Sequence, residues 1–191
     1  MKPRNVAPGA KARPTPPVTA AWLERVALHY LDRYSATQEM LRRVLARRVA
    51  KRSRERDEDP GQHSGIIDET VARAVRAGLV DDERFTTARL ATLRRRGAST
   101  RGAGAALAAK GVDRAVVEAA FAAEQEEAED SGTIESTAAQ AYARRRRLGP
   151  HRRAEARTAY RERDLAAMAR AGFSYPVAKA VIDATDDGPD P

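Results

Sequence analysis

"GLVDDERFT", residues 78–86, sets a glycine and two adjacent aspartates inside a run that is otherwise apolar and basic. Paired carboxylates can do acid–base chemistry, hold a metal or start a helix, and the spacing here favours the third. Gly78 stands where a helix needs a left-handed residue to end, with Leu79 able to fold back on the last turn. Asp81 then caps the next helix by accepting from free backbone amides, and Asp82 and Glu83 occupy its positive first turn. Val80 before the cap and Phe85 within the helix have hydrophobic-staple spacing. The device recurs downstream. "GVDRAVV", 111–117, offers Asp113 as cap with a Val112–Val117 staple, and "GFSYPV", 172–177, offers Ser174 as cap with Pro176 in the first turn. An arrangement that repeats with serine in place of aspartate is structural punctuation; a metal site would need a histidine or third carboxylate at suitable spacing.

Between these turns the apolar residues recur at helical intervals. Trp22, Val26, Tyr30 and Tyr34 come every fourth residue, with Leu23, Ala27 and Leu31 beside them. Ser35 and Gln38 have capping-box spacing ahead of Met40, Leu41, Val44 and Leu45. A third helix is expected from about Ile66 to Ala77, with Ile67, Val71 and Val75 inward. No alternating apolar and polar run argues for a strand, so the fold class is all-α. The pattern also repeats: residues 31–45 lie over 93–107, and 107–121 over 168–182, with Gly111 over Gly172 and Asp113 over Ser174. Self-similarity at a fixed period marks stacked supersecondary units. The expectation is tandem three-helix repeats, about nine helices in an elongated array curved to the right or the left. The division is a disordered, basic, Pro-rich arm over 1–19, then repeats over 20–80, 81–130 and 131–184, with an acidic tail over 185–191. Residues 51–64, charge-balanced around a Pro-Gly pair, read as an exposed loop in the first repeat.

Composition narrows the function classes. The 191 residues carry a net charge of +8, and all but five of the 35 basic residues are arginine. Such a balance points to a polyanionic partner, nucleic acid or an acidic protein surface. Absence of cysteine removes disulfides, thiolate metal sites and thiol nucleophiles, and fits the cytoplasm. No stretch has the roughly 20 apolar residues that span a bilayer. "GASTRGAG", 97–104, begins like a phosphate loop but puts Ala103 and Gly104 where lysine and a hydroxyl residue are required. His29, His63 and His151 are scattered and share no helix face with a carboxylate pair. The chain therefore reads as a non-enzyme, with no catalytic residue, metal or cofactor.

The positive signal is arginine. Arg94, Arg95 and Arg96 end one helix and are followed by Arg101; Arg144, Arg145, Arg146 and Arg147 end another and are followed by Arg152 and Arg153. A helix C-terminus favours cations through its dipole, which accounts for part of this placement. Four consecutive arginines nevertheless point to every side of a turn, so they cannot all pair internally, and these ten residues are candidates for contact with DNA phosphates or an acidic groove. The acidic run at 123–130 makes the surface two-signed, which steers a protein partner as readily as DNA. A sequence-nonspecific nucleic-acid binder remains the alternative.

The order "GLVDDERF", an arginine-rich helix, "RRRGAS", "LAAKGV" and "ARAGFS" resembles the RecX regulatory proteins, bacterial modulators of the RecA recombinase. The likeness covers about residues 22–183. It implies tandem three-helix units, binding in the groove of the RecA–DNA filament, and damping of RecA's ATPase, strand-exchange and coprotease functions, hence regulation of DNA repair, homologous recombination and the SOS response. A cytoplasmic monomer without cofactors, partnered by RecA on DNA and able to touch single- or double-stranded DNA, is the expectation. Two departures stand out: the 51–64 segment is long for the family, and "RGAGAALAAKG" carries small residues where larger aliphatics are usual, which predicts a thin seam.

Overall fold

The computed structural model describes residues 15–128 and 131–185, so the basic arm expected over 1–19 is described only from Thr15, and the acidic tail lies outside beyond Thr185. Among the described residues every regular element is helical, as the periodicity predicts. The helices are α1 (Ala20–Leu31), α2 (Gln38–Arg56), α3 (Ser64–Arg76), α4 (Asp82–Arg95), α5 (Thr100–Ala108), α6 (Arg114–Glu126), α7 (Ser131–Arg146), α8 (Ala154–Ala171) and α9 (Tyr175–Ile182). Short 3-10 turns occur at Pro60–His63 and Gly149–His151.

The two aspartates of the opening stretch serve two different helices. Gly78 has φ +69°, and the amides of Gly78 and Leu79 donate to Val75 and Ala74 oxygens at 2.9 and 3.0 Å, closing α3. Asp81 Oδ1 accepts from Arg84 N at 2.9 Å and starts α4. Asp82 Oδ1 instead accepts from Gln38 N at 2.9 Å, the first amide of α2, while Thr37 Oγ1 accepts from Met40 N at 3.1 Å. The cap of α2 is therefore Thr37 assisted by Asp82, and the box expected from Ser35 and Gln38 is corrected: Ser35 lies two residues ahead of the cap. Burial raises the Asp82 pKa above its ordinary value, opposed by the Gln38 amide and reinforced by the Asp81 charge. Asp113 Oδ1 accepts from Ala115 N at 2.8 Å at the start of α6. Ser174 holds the corresponding position before α9, but its side chain makes no capping bond, which corrects the expected role; Pro176 in the first turn removes one amide that would have needed a partner.

Asparagine caps nearly as well as aspartate, so Asp81→Asn should leave stability close to that of the parent. Asp81→Ala should cost about 1 kcal/mol in urea unfolding and leave the activity of the folded protein intact. Loss of activity in Asp81→Asn at unchanged stability would show that the carboxylate charge itself is functional.

The chain divides into two compact units. Among the described residues, one holds 15–34 with Leu41–Leu79, and the other holds Ser35–Met40 with 80–128 and 131–185. In the first, α1 packs on α3, and the buried residues include Leu23 and Ala27 of α1, Leu41, Leu45 and Val49 of α2, and Ile67 and Val71 of α3. Val75, expected inward, is 36% exposed, and Ala74 takes the buried place. The loop expected over 51–64 is also corrected: α2 continues through Arg56, Ser53 is fully buried, and Pro60–His63 is a 3-10 turn. Its charges find partners both nearby and remote in sequence. Arg52 lies 3.8 Å above the Trp22 ring, Arg56 bonds Glu58 at 2.6 Å and Thr15 O at 2.5 Å, and Thr15 Oγ1 donates to Glu55 at 3.1 Å.

In the second unit α4 packs on α5, α6 and α7, and both α7 and α8 pack on α9. The first helix of each consecutive triple thus packs against the third: α1 on α3, α4 on α6, α7 on α9. Helices α6 and α7, either side of the boundary expected at 130–131, belong to one unit. Ser99 Oγ donates to Ala171 O at 2.7 Å and accepts from Gly102 N at 3.0 Å, tying the start of α5 to the end of α8. Gly97, at φ +77°, lets α7 approach so closely that a Cβ there would collide with the backbone of Ala138 and Tyr142. The seam around α5 is thin, as expected: Leu107, Val112 and Val117 form its buried centre, edged by Phe85, Leu93 and Phe121. A larger cluster, including Leu165, Met168, Phe173, Val181 and Ile182, holds α7–α9.

Candidate polyanion interface

The two arginine clusters meet different fates. Arg94 is not available to a partner. Its side chain is 12% exposed; Nε and Nη2 bond the Glu124 carboxylate at 2.9 and 2.7 Å, and Nη1 reaches Ala98 O at 3.1 Å and Glu135 at 3.3 Å. Glu135 also accepts from the Thr100 amide and hydroxyl at 3.0 and 2.7 Å, so one guanidinium joins α4, α6, α7 and the start of α5. The expectation that Arg94 faces DNA is corrected: part of the acidic run at 123–130 is its internal counter-ion. Arg95 and Arg96 remain exposed. Arg101 is exposed as well, with one contact to Ala169 O at 3.3 Å.

Arg144, Arg145, Arg146 and Arg147 are all exposed at the end of α7. The helix closes with Leu148 N donating to Ala143 O at 2.9 Å, which puts Arg147 in the left-handed region at φ +55°. At four other helix ends that position is glycine: Gly78, Gly97, Gly111 and Gly172. The chain then turns through Gly149 and Pro150, both buried, into α8. Arg152 makes two 2.7 Å bonds to Asp164, which is 1% exposed and also accepts from Gly149 N at 2.9 Å. Burial alone would raise the Asp164 pKa. The Arg152 bonds, the Gly149 amide and the charges of Arg152 and Arg163 outweigh it and hold the carboxyl below its ordinary value. Arg152 is thus half structural, its guanidinium 4.6 Å above the Tyr160 ring, while Arg153 is exposed.

These elements border a groove of about 320 Å³ lined by Arg146, Arg152, Arg163 and Arg170 with Tyr160, and Asp164 is its one carboxylate. With Asp164 neutralised by Arg152, the rim presents uncompensated positive charge. The runs singled out in the sequence leave out Tyr160, Arg163 and Arg170. Runs of arginine draw attention, yet neighbours in a run diverge around the helix; residues 160, 163, 167 and 170 follow helical spacing and share one face. Forked guanidiniums at this density suit phosphate or carboxylate oxygens. Among the described residues no group of three or more histidines and carboxylates could hold a metal ion, and no helix is long and apolar enough to cross a membrane.

The chain is 42% identical over 167 residues to the regulatory protein RecX of Myxococcus xanthus, a match spanning 87% of each chain. It is 32% identical over 169 residues to the regulatory protein RecX of Agrobacterium fabrum, spanning 87% of this chain and 85% of that one. No family model matches the chain, and no solved structure does. Similarity at these identities spans more than four fifths of this chain and of both relatives, and on that ground this chain belongs to the RecX family of regulatory proteins.

Proposed function

We propose that the protein regulates RecA: it binds the RecA–DNA filament as a cytoplasmic, non-enzymatic monomer and restrains ATP hydrolysis, strand exchange and coprotease action, and with them recombination, repair and the SOS response. The observation that carries the reading is the basic face of the α7–α8 turn, where Arg144, Arg145, Arg146, Arg147 and Arg153 stand exposed next to the groove of Arg163 and Arg170. In a filament this face meets DNA phosphates or acidic protein surface, and Arg95, Arg96 and Arg101 form a second patch. RecA-dependent ATP hydrolysis on single-stranded DNA, titrated with the protein, tests the reading. Falling turnover with rising protein is expected; no response at stoichiometric excess would overturn it. The alternative, a nucleic-acid binder acting without RecA, is favoured instead if affinity for DNA alone equals affinity for the filament.

Arg147 gives a sharper test, because its backbone strain points to a side chain retained for contact. Arg147→Gly should raise stability by about 0.5–1 kcal/mol by relieving the left-handed conformation. It should also weaken filament binding several-fold at physiological salt, the size of about one lost phosphate contact. A variant that is more stable and equally active would show that Arg147 faces no partner.

A further inference from the structure

Helix α1 has two apolar edges, and the core uses one. Leu23 and Ala27 are buried, whereas Trp22, Val26, Tyr30 and Tyr34, the stripe with four-residue spacing, line a groove of about 520 Å³ completed by Val44 and Arg48 of α2. Tyr34 is 57% exposed, and its ring centroid lies 5.2 Å from that of Tyr30, forming a ledge of two tilted rings. Arg52 covers a face of the Trp22 indole at 3.8 Å and fixes it. Three arginines, Arg25, Arg33 and Arg48, share the lining with His29, and no carboxylate does. Several other surface arginines of this unit are paired: Arg73 with Glu24, Arg76 with Glu69, Arg42 with Asp68. Aromatic faces left out of a core, set among arginines without an acid, match what an extended polyanion with exposed π-faces requires.

We propose that this α1–α2 groove is a binding site for single-stranded nucleic acid, with bases stacking on Tyr34, Tyr30 and Trp22 and phosphates held by Arg25, Arg33 and Arg48. Trp22 and Tyr30 are eight residues apart, about 12 Å along a helix, which accommodates three to four nucleotides at a rise of about 3.4 Å. A duplex already stacks its bases on one another and gains nothing from the rings; a single strand gains on the order of ten-fold in affinity per base stacked. The site is separate from the α7–α8 arginine face and does not rest on the RecA reading.

Trp22 is the chain's one tryptophan, so its fluorescence reports the groove directly. The full-length protein is titrated with oligothymidylate, a duplex of equal length, thymidine monophosphate and a glutamate-rich peptide. The expected result is saturable quenching by the oligonucleotide, weakened about ten-fold by Tyr34→Leu. Arg33→Gln and Arg48→Gln should each reduce the salt slope by roughly 0.7. Tyr34 and both arginines are exposed, so these variants keep their helical spectrum; if Tyr34→Leu does not, the arginine pair carries the test. Equal quenching by duplex or by mononucleotide would overturn the strand site. So would quenching by the acidic peptide that displaces the oligonucleotide, or an oligonucleotide response insensitive to Tyr34, Arg33 and Arg48. RecA is absent from every arm, so failure here leaves the regulatory reading standing.

Discussion

Arg94→Met should lower the unfolding free energy by about 3 kcal/mol, with the urea midpoint falling and the slope unchanged. Methionine fills much of the arginine volume, so the loss is electrostatic rather than a cavity. It leaves Glu124 and Glu135, each only about a fifth exposed, without the guanidinium that lies between them. It also releases Ala98 O and one partner of the Thr100 hydroxyl at the α5 start. Arg94→Lys should recover little, because a single ammonium cannot reproduce a fork that serves two carboxylates and a carbonyl at once. Removing the stranded charges should help more: adding Glu124→Gln and Glu135→Gln to Arg94→Met is expected to restore part of the stability, since loss of both sides of a buried pair is far milder than loss of one. Wild-type stability in Arg94→Met together with lost RecA inhibition would return Arg94 to the interface.

That residue also marks where sequence reading stops. Asp81, Gly78 and Asp113 were legible because a cap or a left-handed turn is satisfied within a few residues of itself, and the amides they serve lie three or fewer positions away. Asp82 looked the same and was not: it accepts from the Gln38 amide, 44 residues back, which no local pattern shows. The helical extension through Arg56 was hidden for a similar reason. "KRSRER" has no apolar stripe, and its stabilising partners are the Trp22 ring and Thr15. Arg94 is the clearest case, since three adjacent arginines look alike until the fold brings Glu124 and Glu135 to one of them and leaves Arg95 and Arg96 in solvent. The stripe on α1 shows the converse. Helical spacing located Trp22, Val26 and Tyr30 correctly, while Tyr34 falls beyond the end of α1, and spacing alone could not tell a face that packs into the core from one that borders a groove.

Reversing Arg144, Arg145, Arg146 and Arg147 together to glutamate should reduce affinity for the RecA–DNA filament by at least about 100-fold at physiological salt. Each phosphate contact contributes a slope of roughly 0.7–0.9 in log affinity against log salt, so four contacts account for a slope near 3 and a loss of that order. Repulsion from the introduced acids adds to it, and the salt dependence of the residual binding should be flatter by roughly that slope. Folding should change little, because all four side chains are exposed and none is paired with a carboxylate among the described residues. The left-handed position of Arg147 is as strained for glutamate as for arginine. A charge-matched control must avoid Arg52 and Arg56, which hold Trp22 and Thr15. Arg47, Arg54, Arg76 and Arg114 serve instead, as they lie on exposed helix faces and make at most surface pairs such as Arg114 with Glu118. Both quadruple variants carry the same net charge, so a general loss of attraction to DNA would affect them equally, whereas a defined contact face separates them. Inhibition of RecA ATPase on single-stranded DNA is read across a salt series for each. Equal loss in the two would reduce the basic face to bulk electrostatics. Retained inhibition in the α7 variant with loss in the control would move the filament-facing surface elsewhere on the protein.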